Sequence, residues 1–492
     1  MDPKASTLRQ TGAGDTNEDA NTRVSQPGLV AVFSGCKPQW QIIEIPCAIP
    51  SEGSVAVGEL ELGRDNVGRL LADGRISRRH ALVQYSEAGF HVSDLGSLNG
   101  TTVDGQPAAG KGPLPLLRCL RIGDSLLLPV VDTHLFSAGS PFVCAGIVVG
   151  PTLSRLYQRI TRIAKASSTL YITGESGAGK EHAARAFHEA GASTSRSSPF
   201  VAVNCATIPE GIAERLLFGA RRGAFSGVVA DSDGYVQAAH GGTLFLDEVA
   251  DLHPSVQAKL LRVLETREVL AVGATRPQTV NVRICSASHR PLIEEVAAGR
   301  LREDLYYRMG RPAERVPPLR ERLEEIPWLI GIEIQRSGVT MAPHCSFVEA
   351  CMLRPWPGNI REFLVEVRSA VQEAAAYEST RLKAEHLAAT AGQEIKGTAS
   401  RAEDALAVPQ VQAAATMATP ISETSSAAAP AAQPGSTRPS RATILATLLD
   451  VKCNVSEASR RLGMHRTELR RQLKILDIDL SQLKQLGQQG RR

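Results

Sequence analysis

Along the chain, the spacing of apolar residues changes character several times. From Met1 to about Pro27 large apolar side chains are sparse, which predicts a disordered lead-in. From Leu29 short apolar runs appear: Leu29–Phe33, Gln41–Ile45, Ser54–Val57, Ala81–Tyr85, Phe90–Ser93 and Ser125–Pro129. Gly, Pro, Asp and Asn separate them, and many short strands at this spacing predict an all-β sandwich. From about Gly150 the units lengthen. A β-branched run, Thr169–Thr173, ends in a glycine-rich turn, and a helical pattern follows from Glu181 to Ala190. Phe200–Asn204 reads as a buried strand and Thr243–Leu246 as a further strand, so the stretch to Gly392 predicts an α/β domain with a parallel sheet.

After Gly392 the periodicity stops. Ala, Pro, Ser, Thr and Gln dominate to Ser440, as in a flexible tether. From Arg441 a helical rhythm returns, with Ile444, Leu445, Leu448 and Leu449 on one face. A second helix starts near Asn454, an N-cap with Glu457 three residues on. Gly463 makes a turn, and a third helix runs from Arg466 through Leu469, Leu473 and Leu476. The expected architecture is therefore a β-sandwich (28–140), an α/β domain (150–315) with a helical lid (316–391), a linker (392–440) and an all-α helix-turn-helix (441–492).

Composition narrows this little. The 492 residues exceed what one core holds, and 43% hydrophobic with 22% charged residues is ordinary for a soluble protein. No apolar run is long enough to span a bilayer, and the polar N-terminus has no signal core, so no membrane partner and a cytoplasmic location are expected. The 9 cysteines are scattered without a C-x-x-C pair, as reduced and mostly buried thiols. Charge is more informative in its distribution. Arg441–Arg492 carries +6 against a total of +4, leaving −2 on the remainder. A basic tail on a near-neutral body predicts an anionic partner for the tail.

The candidate chemistry lies first in the turn after Thr173. Gly174, Glu175, Ser176, Gly177, Ala178, Gly179 and Lys180 fit the spacing of a phosphate-binding loop, with Glu181 where Ser or Thr is usual. Glycines let backbone N–H groups face a polyphosphate, the following helix adds its dipole, and Lys180 supplies a point charge. Asp247 and Glu248 end a strand, where one carboxylate can hold Mg²⁺ and the other polarise an attacking water. In the N-terminal region Gly63-Arg64, Ser77-Arg78-Arg79-His80 and Asp94 to Thr101 are loop clusters whose guanidinium and hydroxyl donors suit a phosphate dianion. Between Leu217 and Val228 two glycines flank Phe225, a loop presenting an aromatic or a plain buried turn.

These motifs carry three resemblances. The loop clusters resemble a forkhead-associated (FHA) domain, which implies that Arg64 and Ser77 hold a phosphothreonine, Arg78 adds charge and Asn99 fixes the peptide backbone, with Gly63 and His80 structural. From Gly150 to about Ala375 the chain resembles the AAA+ domain of sigma-54-dependent activators. The likeness includes Gly174–Glu181, Asn204-Cys-Ala, Leu-Phe-Leu-Asp247-Glu248, Gln257–Leu264, Arg302–Arg308, Pro317–Arg322 and Trp356–Glu362. It implies ATP and Mg²⁺ as cofactors. Asp247 would bind the metal, Glu248 would activate water, and Asn204 would hold Glu248 in an inactive pose. Arg302 and Arg308 would reach a neighbour's γ-phosphate, and Arg361 would sense nucleotide. Fingers acting in trans imply a ring, from dimer to hexamer. The loop Gly223, Ala224, Phe225, Ser226, Gly227 and Val228 would grip the sigma factor, departing from Gly-Ala-Phe-Thr-Gly-Ala at Ser226 and Val228. His289 stands where asparagine is usual. The tail resembles a Fis-type DNA-binding domain, with Arg466, Thr467, Arg470, Arg471 and Lys474 on the basic faces of the third helix.

The function implied is an ATPase that binds upstream DNA, receives a signal from a phosphothreonine protein or Ser/Thr kinase, and remodels the sigma-54 RNA polymerase holoenzyme. The alternative is a DNA-bound, phosphopeptide-responsive repressor or scaffold whose sigma contact is weakened. An AAA+ machine acting on protein substrates is disfavoured by the basic tail.

Overall fold

The computed structural model describes residues 25–47, 57–137, 139–144, 146–191, 198–224, 230–394 and 461. The expected disordered lead-in up to residue 24, most of Ser54–Val57, Phe225–Val228, the linker beyond residue 394 and the helix-turn-helix with Arg466, Thr467, Arg470, Arg471 and Lys474 lie outside the described residues. Two compact units divide the chain, Met1–Leu406 and Ala407–Arg492. All the described residues except Arg461 belong to the first.

The N-terminal part is a two-sheet β-sandwich. Its strands are β1 (Gly28–Ser34), β2 (Lys37–Glu44), β3 (Gly58–Leu62), β4 (Ala81–Ser86), β5 (Gly89–Asp94), β6 (Thr101–Val103), β7 (Gln106–Pro107), β8 (Leu114–Leu116), β9 (Leu120–Ile122) and β10 (Ser125–Val130). One sheet runs β2-β1-β10-β9-β6-β7 and the other β3-β4-β5-β8. Leu29, Ala31 and Leu127 of the first sheet meet Leu62, Val83, Phe90, Val92 and Leu116 of the second in one core. The short strands β6 to β9 carry only two or three residues each, too few for a period-2 pattern to register in the sequence.

A hairpin of β11 (Phe142–Cys144) and β12 (Ile147–Val149) leads into the α/β body. Its elements are α1 (Pro151–Ala166), β13 (Thr169–Thr173), α2 (Lys180–Gly191), β14 (Phe200–Asn204), α3 (Ala213–Phe218), α4 (Tyr235–Ala238), β15 (Thr243–Asp247) and α5 (Pro254–Thr266). A small ribbon, β16 (Glu268–Val269) with β17 (Gln278–Thr279), precedes β18 (Arg283–Ser288), α6 (Leu292–Ala297), α7 (Glu303–Met309) and β19 (Ala313–Arg315). The sheet is parallel throughout, in the order β14-β15-β18-β13-β19. Alternate residues serve opposite faces. Tyr171, Leu244, Leu246 and Ile284 enter one core, and Leu170, Ile172, Phe245 and Cys285 the other. Burial on both faces is why β13, β15 and β18 read as continuous apolar runs. Phe200–Asn204, expected as a buried strand, is instead an edge strand in which only Val203 is buried, because no strand covers its outer side.

The lid comprises α8 (Ile326–Ser337), β20 (Ala342–Pro343), α9 (Cys345–Leu353), α10 (Asn359–Ala376) and β21 (Arg381–Leu382). It does not stand apart from the sandwich. Val30, Val32, Leu126, Leu128 and Val130 of β1 and β10 share a core with Ile326, Ile330, Phe347, Val348 and Met352 of the lid. Trp40 on β2 packs edge-on against Trp328 at 6.1 Å. Arg121 pairs with Glu349 at 3.1 Å, and Arg118 donates to the Leu353 carbonyl at 2.7 Å. Asp124, His344 and Cys345 converge across this seam. Arg75 pairs with Asp124 at 3.2 Å from the sandwich side, which supplies the cationic partner. The sandwich thus buries its outer sheet face on the lid, and β1 is fully buried along its length.

Because adjacent residues of β10 face different cores, they allow a contrast. Leu128→Asp places a charge in the shared sandwich–lid core and should cost at least about 3 kcal/mol, splitting one thermal unfolding transition of this body into two. Leu127→Asp points into the sandwich itself and should unfold that part alone. Calorimetry of both full-length variants, with limited proteolysis, checks the expectation.

Candidate functional site

The phosphate loop joins β13 to α2. Three of its glycines have positive φ: Gly174 at 156°, Gly177 at 74° and Gly179 at 104°. At Gly177 the requirement is also steric, since a Cβ would lie 2.3 Å from the Gly358 carbonyl oxygen of the lid. Lys180 is 7% exposed, and its ammonium donates to the Gly174 carbonyl at 3.0 Å and to Glu248 Oε1 at 3.2 Å. The loop is therefore closed on its own lysine.

Asp247 and Glu248 follow β15, which neighbours β14 on one side and β18 on the other. Asp247 Oδ1 is buried without a hydrogen-bond partner. Burial, with the adjacent Glu248 charge, pushes the Asp247 carboxyl up. An orphaned, crowded carboxylate oxygen beside a phosphate loop is what a divalent cation would satisfy, so Asp247 fits the Mg²⁺ ligand expected there. Glu248 adopts a left-handed backbone conformation, φ 51°, rare for a residue with a side chain and typical of functional turns. Burial raises its pKa, but hydrogen bonds from His289 and the charge of Lys180 outweigh this and hold it below the ordinary glutamate value.

The cavity around these groups measures about 430 Å³. Ser176, Gly177, Gly179, Lys180, Glu181, Asn204, Asp247, Glu248 and Arg361 line it. Arg361 of α10 donates to Ser176 Oγ at 3.3 Å, which places the lid arginine at the mouth. Asn204 lines the cavity, but its Oδ1 accepts from the Ala206 amide at 3.0 Å as a cap of the turn after β14. The carboxylate of Glu248 is instead bonded to Lys180 and to His289 Nδ1, the latter at 2.6 Å. Glu175 is engaged elsewhere. Arg320 grips it through two bonds of 2.8 and 2.5 Å, and that pairing chiefly lowers its pKa. Glu181 forms an exposed i,i+4 pair with Arg185. Arg302 and Arg308 lie outside the cavity, 51% and 59% exposed, paired with Asp304 and Glu265. Gly223, with φ 77°, and Ala224 stand at the edge of the loop whose remainder is not described.

Sequence reasoning overlooked the apolar end of this cavity. Ile147, Val148, Leu329, Ile360 and Leu364 gather there from β12, α8 and α10, with His182 beside them. The run Ile147–Val149 was the available signal. Also overlooked were two buried tethers. Asn359, fully buried with φ 53°, accepts from the Leu319 amide at 2.8 Å and donates to Glu175 at 3.0 Å and to the Ser176 carbonyl at 3.2 Å. Arg322, also fully buried, donates to the Ala178 carbonyl and to Glu325, both at 3.1 Å. Glu325 in turn accepts from the Gly150 amide at 3.0 Å.

At the sandwich end the loop residues converge. The Arg64 amide donates to the Ser77 carbonyl at 2.9 Å, and its Nε to the Ile76 carbonyl at 3.0 Å. Ser77 Oγ accepts from the Leu98 amide at 3.0 Å, and Asn99 donates to the Arg75 carbonyl at 2.7 Å. Buried His80 accepts from the Ser77 amide and contacts the Gly100 carbonyl, tying the loops together. Gly63 is excluded from bearing a side chain, since a Cβ would lie 2.0 Å from the Arg78 carbonyl oxygen. Arg64, Arg78 and Asn99 remain exposed.

A closed phosphate loop, paired acids at the end of β15, one strand removed from the loop's own strand, and an arginine-bearing lid define the class: an AAA+ P-loop ATPase domain, here joined to an FHA domain. Residues 147–312 match the Sigma-54 interaction domain, and residues 60–122 the FHA domain. The chain is 35% identical over 334 residues to the transcriptional regulatory protein GlrR of Escherichia coli (strain K12), covering 65% of this chain and 74% of GlrR. It is 46% identical over 222 residues to the Nif-specific regulatory protein of Azotobacter vinelandii, covering 44% of this chain. It spans only 42% of that relative's length. A crystal structure of NtrX from Brucella abortus aligns with a TM-score of 0.45 at 29% identity, covering 68% of this chain and 69% of that one. The chain belongs to the sigma-54-dependent transcriptional regulators. Among the described residues no helix is long and apolar enough to cross a membrane.

The Asn359 tether yields a graded expectation. Asn359→Ala removes the four hydrogen bonds of this side chain, to Leu319, Glu175, Ser176 and Pro357, and leaves a side chain in the left-handed region, and should cost about 2–4 kcal/mol. Asn359→Gly relieves the backbone conflict and should recover about 1 kcal/mol of that. Denaturant unfolding of the two variants measures the difference.

Proposed function

We propose that the chain hydrolyses ATP and uses that hydrolysis to remodel the sigma-54 RNA polymerase holoenzyme, under control of a phosphothreonine ligand at the FHA loops. The observation that carries this reading is the set Lys180, Asp247 and Glu248 in one cavity, closed by Arg361. Mg²⁺ bound at Asp247 would neutralise phosphate charge and polarise the γ-phosphoryl. Lys180, withdrawn toward the outer phosphates, would release Glu248 Oε1. Glu248 would then accept the proton of the attacking water. The apolar end formed by Ile147, Val148, Leu329, Ile360 and Leu364 suits a purine base. The exposure of Arg302 and Arg308 is compatible with fingers acting on a neighbouring subunit's nucleotide, in a ring up to a hexamer.

Arg64, Ser77, Arg78 and Asn99 would bind the phosphothreonine peptide. A continuous set of contacts runs from these loops to the lid. Asn99 bonds the Arg75 carbonyl, the Arg75 guanidinium pairs with Asp124, and the Cys345 thiol of α9 donates to Asp124 at 3.4 Å. Peptide occupancy would therefore bear directly on the lid rather than through a slack tether. The basic tail, Arg441–Arg492, would hold the ring on upstream DNA. A repressor or scaffold role is the second reading, motivated by Ser226 and Val228 in the sigma-gripping loop. Transcription from a sigma-54 promoter separates the two, since open complexes must depend on this ATPase if the first is right.

Glu248→Gln should retain nucleotide binding and lose turnover by about 10²-fold or more, measured by ATPase assay with a fluorescent-nucleotide titration. Hydrolysis at the wild-type rate would overturn the catalytic role. Arg64→Ala should abolish binding of a phosphothreonine peptide by calorimetry and remove any peptide effect on the ATPase rate, while ATPase without peptide persists.

A further inference from the structure

Where the sandwich meets the lid, three side chains of metal-binding type face one another. Asp124 sits in the turn between β9 and β10, and His344 and Cys345 open α9. One donor atom from each lies within 4.8 Å of the others, the one such group of His, Cys, Asp or Glu among the described residues. Asp124 and Cys345 are 221 positions apart in the chain, so no local spacing announces the group.

The distances are near those of a metal tetrahedron. A zinc ion with bonds of about 2.3 Å to sulfur and about 2.0 Å to oxygen or nitrogen sets sulfur about 3.5 Å from either. Cys345 Sγ stands 3.4 Å from Asp124 Oδ1 and 3.9 Å from His344 Nε2. His344 Nδ1 lies 2.9 Å from Ser346 Oγ, which can accept its N–H once Nε2 ligates. The Ser346 amide, now donating to Nδ1 at 3.2 Å, gives up that bond. Burial chiefly, helped by the charges of Arg381, Lys383 and Arg121, holds His344 below the ordinary histidine value against the pull of Asp124, which favours a neutral ring. Arg75 reaches Asp124 at 3.2 and 3.4 Å, long for a guanidinium–carboxylate pair, and is 56% exposed, so it can withdraw to Oδ2 and leave Oδ1 to a metal.

We propose that Asp124 Oδ1, His344 Nε2 and Cys345 Sγ bind a zinc ion that fastens the sandwich to the lid, with water in the fourth position. A thiolate, an imidazole and a carboxylate suit zinc and not Mg²⁺ or Ca²⁺, which take oxygen donors. The Zn–S bond forms as the thiol proton leaves to solvent, with no change of oxidation state. The carboxylate and thiolate together balance the charge of the ion. Asp124 is 31% exposed and gives the ion a way in, while Cys345 is buried behind it. A single thiol–carboxylate hydrogen bond between the two parts is thereby replaced by coordinate bonds to one shared ion.

The test uses the full-length chain, stripped by chelator and free of nucleotide, titrated with zinc chloride and separately with Co²⁺. Wild type should take up one zinc per chain, undisturbed by Mg²⁺, and melt at least about 3 °C higher with it. Co²⁺ should show a thiolate charge-transfer band with the visible bands of a tetrahedral ion. Cys345→Ser should erase the charge-transfer band. Asp124→Asn, which keeps the shape of a partly exposed side chain, should melt near wild type without metal and bind zinc at least about 10-fold more weakly. A wild-type chain that takes up no zinc overturns the proposal. So does undiminished zinc affinity in Asp124→Asn, or a thiolate band that survives Cys345→Ser, since either puts the ion elsewhere.

Discussion

The close approach of the lid to the phosphate loop is the constraint on which the rest depends. The lid approaches Gly177 so closely that a side chain there would collide with the Gly358 carbonyl oxygen. Asn359 and Arg320 hold the contact by bonding Glu175, and Arg322 reaches the same loop from behind at Ala178. The nucleotide cavity exists only because this contact closes one wall of it. Its apolar floor comes from β12, α8 and α10, and its polar roof from the loop and β15. A loop held this way has its N–H groups oriented before any phosphate arrives, which lowers the reorganisation needed on binding.

The buried charges around the loop fit the same view. Arg322, Glu324 and Glu325 lie almost wholly out of water, and burial pushes both glutamates up, Glu325 to about 7. Such a cluster contributes little net stability, since desolvation opposes the attraction. What it supplies is geometry: Gly150, Thr152 and Ala178 are bonded to it, so the start of α1, the phosphate loop and the lid are registered against one another.

The sandwich adds a third body to this arrangement. Its outer sheet is covered by the lid, and the seam is closed by Arg121 with Glu349 and Trp40 with Trp328. A sandwich that shares a core with the lid lies one packed layer from the helix that carries Arg361. The lid therefore touches the cavity beside the phosphate loop on one side and the sandwich that carries the FHA loops on the other.

Much of this was legible in the residues themselves. The phosphate loop, the acids after Leu246 and the FHA loop clusters are local motifs, because their chemistry needs fixed spacing along a turn or a strand end. The double-faced runs Leu29–Phe33 and Leu126–Leu128 even carried the signal that both faces of the outer sheet are covered, since a sandwich strand facing water should alternate. What covers them was not legible, because the lid residues that do so, Ile326 to Met352, are far along the chain. The same limit explains Glu248. Sequence spacing places it after β15, but whether Asn204 or His289 holds its carboxylate depends on which strand ends are neighbours and where each side chain is already engaged. Hydrogen-bond partners across a sheet are chosen by tertiary geometry, and only the folded chain decides them.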